Sequence, residues 1–326
     1  MGVHHQATNW IKSFLKDRSQ RVLVDGYSSD QLPVLLGVPQ GSVLGPCLFL
    51  TYINDLPEAI KSKARLFADD TIVYLTINTT TDALSLQNDL HQLEQWEQDW
   101  SMEFNPDKCE VLRISRKKNP VIHNYTLHNK TLKTTDTAKY LGITISKDLN
   151  WSNHINNITA KANNSLRFIK RNIQTRNTKV KETAYTTYVR PQLEYCSAIW
   201  NPWQLTQTRK LEQVQRSAAR FVKHNYDYTS SVTQMIKDLN WQTLEQRRTQ
   251  NSLIIFYKIK NNLISVDHHH LIQTRNINCL IPQSRTQYHA NSFFPWTIRL
   301  WNSLPHSVQS SSSLSDYTKR LAAVTP

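Results

Sequence analysis

Hydrophobic residues recur along the chain in two rhythms, three-to-four spacing and short alternating runs. Residues 8–16, TNWIKSFLK, place Trp10, Ile11, Phe14 and Leu15 on one side of a predicted helix. The following stretch predicts a strand over Val22 to Val24, a turn at Asp25-Gly26 and a return strand to Leu36. A loop rich in Gly and Pro comes next. SVLGPCLFLTYINDLP, from Ser42, predicts a helix packed through Leu44, Leu48 and Tyr52, with Pro46 near its first turn and an end around Asn54 to Pro57. ARLFADDTIVYLTI predicts a hairpin with two aspartates at its tip. Residues 82–103 form the most regular helical pattern, with Leu86, Leu90, Leu93, Trp96 or Glu97, and Trp100 as its apolar stripe.

A strand is predicted within NPDKCEVLRIS. AKYLGITISKDLNW then predicts strand, turn and helix entry, with Ser152 as a candidate N-cap. Beyond Trp151 the pattern is helical. Ile155, Ile158, Ala162, Leu166 and Ile169 share one face, with Lys161, Arg167, Lys170 and Arg171 on or near the other. RKLEQVQRSAARFVK repeats the design, setting Leu211, Val214, Ala218 and Phe221 against Lys210, Arg216, Arg220 and Lys223. QSSSSLSD predicts a polar surface stretch before a last short helix. The order implies an α+β front, residues 1–150, and a mainly α-helical back, residues 151–326.

Charge sharpens this division. Residues 1–110 carry 8 Lys/Arg against 15 Asp/Glu, a net of −7, whereas residues 111–326 carry 31 against 10, a net of +21. An acidic front and a strongly basic back suit a cation site joined to a polyanion-binding surface, although a basic surface kept for solubility fits the same count. No apolar run approaches the ~20 residues of a membrane span, and MGVHHQATNW lacks the pattern of a signal peptide. Cys47, Cys109, Cys196 and Cys279 lie far apart without a CxxC pair, which points to reduced thiols in an intracellular protein.

Two segments carry candidate chemistry. Adjacent carboxylates repel, and Asp69 and Asp70 can relieve that repulsion by chelating Mg²⁺, a hard cation that favours oxygen ligands. Paired aspartates are also common in turns, so the doublet alone does not decide. In GVPQGSVLGP, Gly37 and Gly41 let backbone approach a ligand closely, Gln40 offers an amide, and the helix start beyond Ser42 favours phosphate. An ordinary Gly/Pro turn is the alternative; a Walker A loop is excluded by the absence of GxxxxGK[ST].

Taken together and in this order, GVPQGSVLGPCLFLTYINDLP and ARLFADDT resemble the reverse transcriptases of non-LTR retrotransposons. The resemblance extends through WEQDWSMEFNPDKCEVLRISR, AKYLGITISKDLNW, YVRPQLEYCSAIWNP, LEQVQRSAARFV and RLWNSLP, nearly the whole chain. It implies RNA-templated DNA synthesis at two Mg²⁺ ions, with RNA template, DNA primer and deoxynucleoside triphosphates as partners. It also implies a nuclear or cytoplasmic location within a ribonucleoprotein. Asp69 and Asp70 match the metal-binding aspartates of the palm, with Phe67 and Ala68 beside them. Pro39, Gln40 and Gly41 match the block that contacts nucleotide and template. Lys108 matches a lysine near the departing pyrophosphate, a candidate general acid, with a solvated surface lysine as the alternative. Tyr140, Leu141 and Gly142 match the primer grip. Lys161, Arg167, Lys170, Arg171, Arg216 and Arg220 would then meet phosphates as part of a thumb.

The family's third carboxylate, on an earlier strand, has no match in the 36 residues before Gly37, and Asp25 sits in a turn. The expectation is therefore an incomplete palm plus thumb, truncated at the N-terminus. Such a chain would lack polymerase activity alone; a non-catalytic nucleic-acid-binding remnant and a helical interaction protein are the alternatives. Other clusters read blandly. Three adjacent histidines in DHHHLIQTRNINC, residues 267–279, cannot all face one ion. The tryptophans at 200, 203, 241, 296 and 301 suit a helical core better than base stacking, and Arg116-Lys117-Lys118 suits a solvated turn as well as a phosphate contact.

Overall fold

The computed structural model describes residues 5–266, 271–275 and 278–324. The chain is mixed helix and sheet and forms two compact units, Met1–Leu141 and Gly142–Pro326. The division falls nine residues before the expected 150/151 boundary. Ile143 accounts for the difference, because it is buried in the same core as Ile155 and Leu166 of the following helix. The histidine cluster at 268–270 lies outside the described residues.

In the first unit, α1 (His5–Leu15) forms where its stripe predicts, yet buries none of its residues. Trp10 and Phe14 stack on each other at 5.6 Å instead. Two nested hairpins follow: β1 (Arg18–Gln20) pairs with β4 (Leu32–Val34), and between them β2 (Leu23–Val24) pairs with β3 (Tyr27–Ser28) across the Asp25-Gly26 turn. Then comes α2 (Leu44–Ile53). Its inward line is Gly45, Phe49 and Ile53, one position round from the Leu44, Leu48, Tyr52 side that the sequence predicts, and Tyr52 is exposed. The hairpin of β5 (Lys63–Phe67) and β6 (Asp70–Tyr74) and the helix α3 (Thr80–Trp100) complete this core. Leu66, Val73, Leu93 and Trp96 pack together within it.

Thr79 and Asp82 form a capping box that starts α3. Asp89, buried on α3, accepts the amides of Lys61 (3.1 Å) and Ser62 (2.8 Å) and so fixes the entry to β5. Beyond α3 lie β7 (Glu110–Leu112), β8 (Thr126–Leu127), β9 (Lys130–Thr131), β10 (Lys133–Thr135) and β11 (Thr137–Tyr140). β8 and β9 form a hairpin, whereas β7 and β10 pair in parallel. Among the described residues each sheet has two strands, so the broad antiparallel sheet expected of a palm is represented by separate small pairs.

The second unit opens with β12 (Ile143–Ser146) and α4 (Ser152–Asn172). Ser152 is the first residue of α4 and not its N-cap; Asn150 Oδ1, two residues earlier, accepts the Ser152 amide (2.9 Å) and hydroxyl (2.7 Å). Helices α5 (Thr178–Tyr188), α6 (Ser197–Trp200) and α7 (Leu205–Lys223) surround a core holding Ile155, Ala162, Leu166, Leu211, Val214 and Trp200. α8 (Val232–Asp238) packs on α7, and α9 (Leu244–Lys260) leads to a second core. That core joins α9 to β14 (Asn278–Cys279), α11 (Phe293–Ser303), α12 (His306–Gln309) and α13 (Leu314–Val324); β13 (Thr274–Arg275) pairs with β14, and α10 (Gln287–Ala290) precedes α11.

Trp200 and Trp301 are fully buried, and Trp241 stacks on Tyr185 at 4.7 Å. Trp203, by contrast, is 42% exposed. The serine stretch is not wholly superficial: Ser311 is buried, and its carbonyl accepts the Tyr257 hydroxyl at 3.0 Å. All four cysteines are free thiols. No described helix is long and apolar enough to cross a membrane.

Candidate metal and nucleic-acid site

The aspartate doublet is positioned by hairpin register. Phe67 pairs with Asp70, which leaves Ala68 and Asp69 as a two-residue turn and makes Asp70 the first residue of β6. Ala68 takes a left-handed φ of 51°, a conformation that suits tight hairpin turns. Phe67, Ala68, Asp69 and Asp70 are all exposed. The two carboxylates accept no hydrogen bond and meet no cation among the described residues, so their oxygens are available to an external ligand. Among those residues, no group of three or more His, Cys, Asp or Glu side chains converges as a metal site. The donor chemistry fits part of a Mg²⁺ shell, since Mg²⁺ commonly uses one or two carboxylates and completes its octahedron with water and phosphate oxygens. Asp25 sits in the β2–β3 turn with φ 49° and is exposed.

The Gly-rich block runs directly into α2, which shares its core with the aspartate hairpin. Gly37 and Gly41 both have φ of 78°, and a Cβ at either would meet nothing within 4 Å. Glycine is needed there for backbone direction, and the space beside it stays open to a ligand. Gly45 has the opposite reason: a Cβ would lie 2.8 Å from Ser42 Oγ and 2.9 Å from the Pro39 carbonyl. The loop is closed by Ser42, whose hydroxyl donates to Pro39 O (2.7 Å) and accepts the Gly45 amide (3.0 Å). Arg18 fastens the other end, donating to the carbonyls of Gly37, Leu36 (3.4 Å) and Leu15 (2.9 Å). Ser42, Gly45 and Arg18 were not evident as site-building residues in the sequence; the nearest signal is the Ser-x-x-Gly spacing at the start of α2. Gln40 is exposed and Pro39 half-buried.

Lys108 is exposed in the turn before β7, where its amide donates to Asn105 O at 3.0 Å. Its ammonium has no partner among the described residues. Tyr140 is half-buried, and Leu141 and Gly142 take successive left-handed φ values of 45° and 81°.

The six basic residues expected to meet phosphates fall into two groups. Lys161, Arg167 and Arg171 are exposed on α4, and exposed Arg216 makes one bond, to Thr233 Oγ1 at 3.3 Å. Lys170 and Arg220 make further bonds within the fold. Lys170 is half-buried and donates to Ser217 Oγ at 2.9 Å; burial, with Arg167 nearby, holds its ammonium below its ordinary pKa. Arg220 donates to the carbonyls of Asp227 (2.6 Å) and Ser230 (3.4 Å) and ties down the loop after α7. Lys117 of the basic run reaches Asn78 Oδ1 at 3.0 Å.

Residues 1–145 match the family model for reverse transcriptase (RNA-dependent DNA polymerase). The RNA-directed DNA polymerase from mobile element jockey of Drosophila melanogaster is 35% identical over 157 residues, covering 45% of this chain and 17% of that protein. The probable RNA-directed DNA polymerase from transposon BS of the same species is 29% identical over 258 residues, 74% of this chain and 28% of that protein. A third relative, from transposon X-element, is 25% identical over 223 residues, 65% of this chain and 24% of that protein. The chain thus spans less than a third of these relatives' own length. With the aspartate hairpin and the Gly-rich block inside the matched segment, residues 1–145 are similar to the reverse transcriptase family, and the relatives support a reverse transcriptase of the non-LTR retrotransposon kind.

Proposed function

We propose that residues 1–150 are the later part of a polymerase palm and that residues 151–326 are a basic helical thumb and C-terminal region, together serving RNA-templated DNA synthesis. The observation that carries this is the free, exposed carboxylate pair at the β5–β6 tip, within the segment that matches reverse transcriptases. Asp69 and Asp70 would hold divalent metal, Mg²⁺ by donor type. Metal at such a site acidifies the attacking hydroxyl and offsets charge on the leaving pyrophosphate.

The remaining residues bind and orient. The open backbone at Gly37 and Gly41 admits a nucleotide, the Gln40 amide contacts a base or sugar edge, and Pro39 stiffens the approach. Phe67 and Ala68 border the incoming nucleotide. Lys108, exposed and unpaired among the described residues, would meet pyrophosphate and deliver a proton to it. Tyr140, Leu141 and Gly142 would hold the primer end, with the reversal in backbone direction supplied by the two left-handed residues. Lys161, Arg167, Arg171 and Arg216 would line nucleic-acid phosphates.

With only two carboxylates at the tip, this stretch supplies an incomplete ligand set, and we propose that it does not polymerise alone. Primer extension on an RNA template with Mg²⁺ tests this. The reading predicts product from a version extended upstream with the family's Asp-bearing strand, loss of product when Asp69→Asn is added, and none from the 326-residue chain. If the extended version stays inactive while the chain still binds nucleic acid, the protein is a binding remnant without chemistry. The free basic residues of α4 favour that second reading over a purely helical interaction protein.

A further inference from the structure

The loop 225–230 between α7 and α8 is held by more polar bonds than a connection of its length requires. Arg220 grips three of its carbonyls, those of Asn225, Asp227 and Ser230, from the last turn of α7. Asn225 Oδ1 accepts the Asp227 amide (3.0 Å), and the Asp227 carboxylate accepts the Thr229 amide (3.0 Å) and hydroxyl (2.8 Å). Those bonds hold the Asp227 carboxyl below its ordinary pKa. Asn225 Nδ2 donates to Ser230 Oγ at 3.1 Å and closes the loop.

What this scaffold presents is aromatic. Tyr228 is 92% exposed and Tyr226 56% exposed, and neither belongs to a core cluster. The His224 ring stands edge-on to Tyr226 at 6.1 Å. Basic side chains lie on the flanking helices: Arg216 of α7 donates to Thr233 at the start of α8, and Lys237 is exposed on α8. The loop's one acidic group is already engaged by Thr229. A loop backbone held in this way loses little conformational freedom on binding.

We propose that Tyr226 and Tyr228 form a stacking site for unpaired bases of single-stranded nucleic acid, with Arg216 on the adjoining phosphate. Single strands are favoured over duplex because their base faces are free to stack. Charge favours nucleic acid over a protein partner, since residues 142–326 carry 24 Lys/Arg against 9 Asp/Glu. The assignment rests on reading the chain as a nucleic-acid protein, and it places a contact outside the matched segment 1–145.

Fluorescence anisotropy of the full chain with labelled oligouridylate, and with a hairpin duplex as comparison, provides the test. Tyr226→Ala and Tyr228→Ala should each weaken oligouridylate binding about tenfold. The salt dependence and the duplex affinity should stay unchanged, and Tyr→Phe at either position should restore binding. Arg216→Ala should instead reduce the salt slope by about 0.7. Unchanged oligouridylate affinity in both alanine variants overturns the inference, while duplex binding would leave the polymerase reading standing. No binding of either probe by the parent chain overturns both. Loss of self-association in the variants, with oligouridylate affinity intact, assigns the loop to a second copy of the chain and also overturns the inference.

Discussion

Phe67 and Asp70 face each other as the last pair of the β5–β6 ladder, so the two aspartates play different structural parts. Asp69 belongs to the turn and Asp70 to the strand, yet both side chains remain free at one tip. The turn requires a left-handed residue, and alanine fills that place with φ 51°. An L-residue there costs about 1 kcal/mol that glycine avoids. Ala68→Gly should therefore leave the fold intact and stabilise it by up to about 1 kcal/mol in chemical denaturation. Ala68→Val should destabilise it, because a β-branched side chain tolerates that region poorly.

Gly45 lies under the Gly-rich block. Its missing Cβ would press on a backbone carbonyl, at Pro39, as well as on the Ser42 hydroxyl. Backbone cannot step aside as a flexible side chain can. Gly45→Ala should cost about 1–3 kcal/mol, measured by urea unfolding. Combining it with Ser42→Ala should recover only part of the loss, since the carbonyl remains.

Much of this architecture was legible in the sequence because it is local. The stripes of α3, α4 and α7 and the aspartate hairpin depend on spacing within a few turns, and they appear where the pattern puts them except at Trp100 of α3, which is exposed. The α2 stripe misled because LGPCLFLTYI is apolar nearly all round, so its composition does not select a face; Gly45 does, by allowing the loop to approach. Asp89 and Arg248 are buried charges that periodicity reads as surface, and Glu97 is a charge that falls on the predicted stripe. The buried Asp89 and Glu97 take partners far along the chain; Glu97 accepts the Phe104 amide and lies 2.9 Å from His128 Nε2. Lys170 and Arg220 match the phosphate-facing pattern by type and position, and only packing reveals that Ser217 and the 225–230 loop use them.

His154, at the start of α4, gives the second unit a pH dependence of definite sign. Its Nδ1 accepts the Thr144 amide at 3.2 Å, which requires the neutral ring, and burial lowers its pKa from the ordinary 6.5. The unfolded chain therefore binds the proton first as pH falls. This contribution to stability is complete above pH 6.5 and is lost as pH drops from 6.5 through the lower folded value. Thermal melts between about pH 7.5 and pH 5 should show a falling Tm, and His154→Gln should flatten that slope.

Glu194 and Arg247 form a paired contact inside the second unit, with Arg247 Nη2 donating to Oε2 at 3.0 Å and Arg190 Nε at 4.0 Å. The Glu194 carboxylate raises the Arg247 pKa further. The side chains are 14% and 30% exposed, so the interaction is partly shielded from water. Glu194→Gln would strand two guanidinium groups and should cost about 2–3 kcal/mol in urea unfolding. Glu182→Gln, at a more exposed ion pair with Lys179, should cost less than about 1 kcal/mol through that pair.

The most direct measurement is a Mn²⁺ titration followed by electron paramagnetic resonance, with an RNA–DNA primer-template and a deoxynucleoside triphosphate present, for the parent chain and for Asp69→Asn, Asp70→Asn and the double variant. Manganese occupies oxygen sites built for Mg²⁺ and loses its free-ion signal when held. The account predicts protein-dependent loss of that signal in the parent, reduced in each single variant and abolished in the double one, with the fold unchanged by circular dichroism. Equal binding by the parent and the double variant would contradict it.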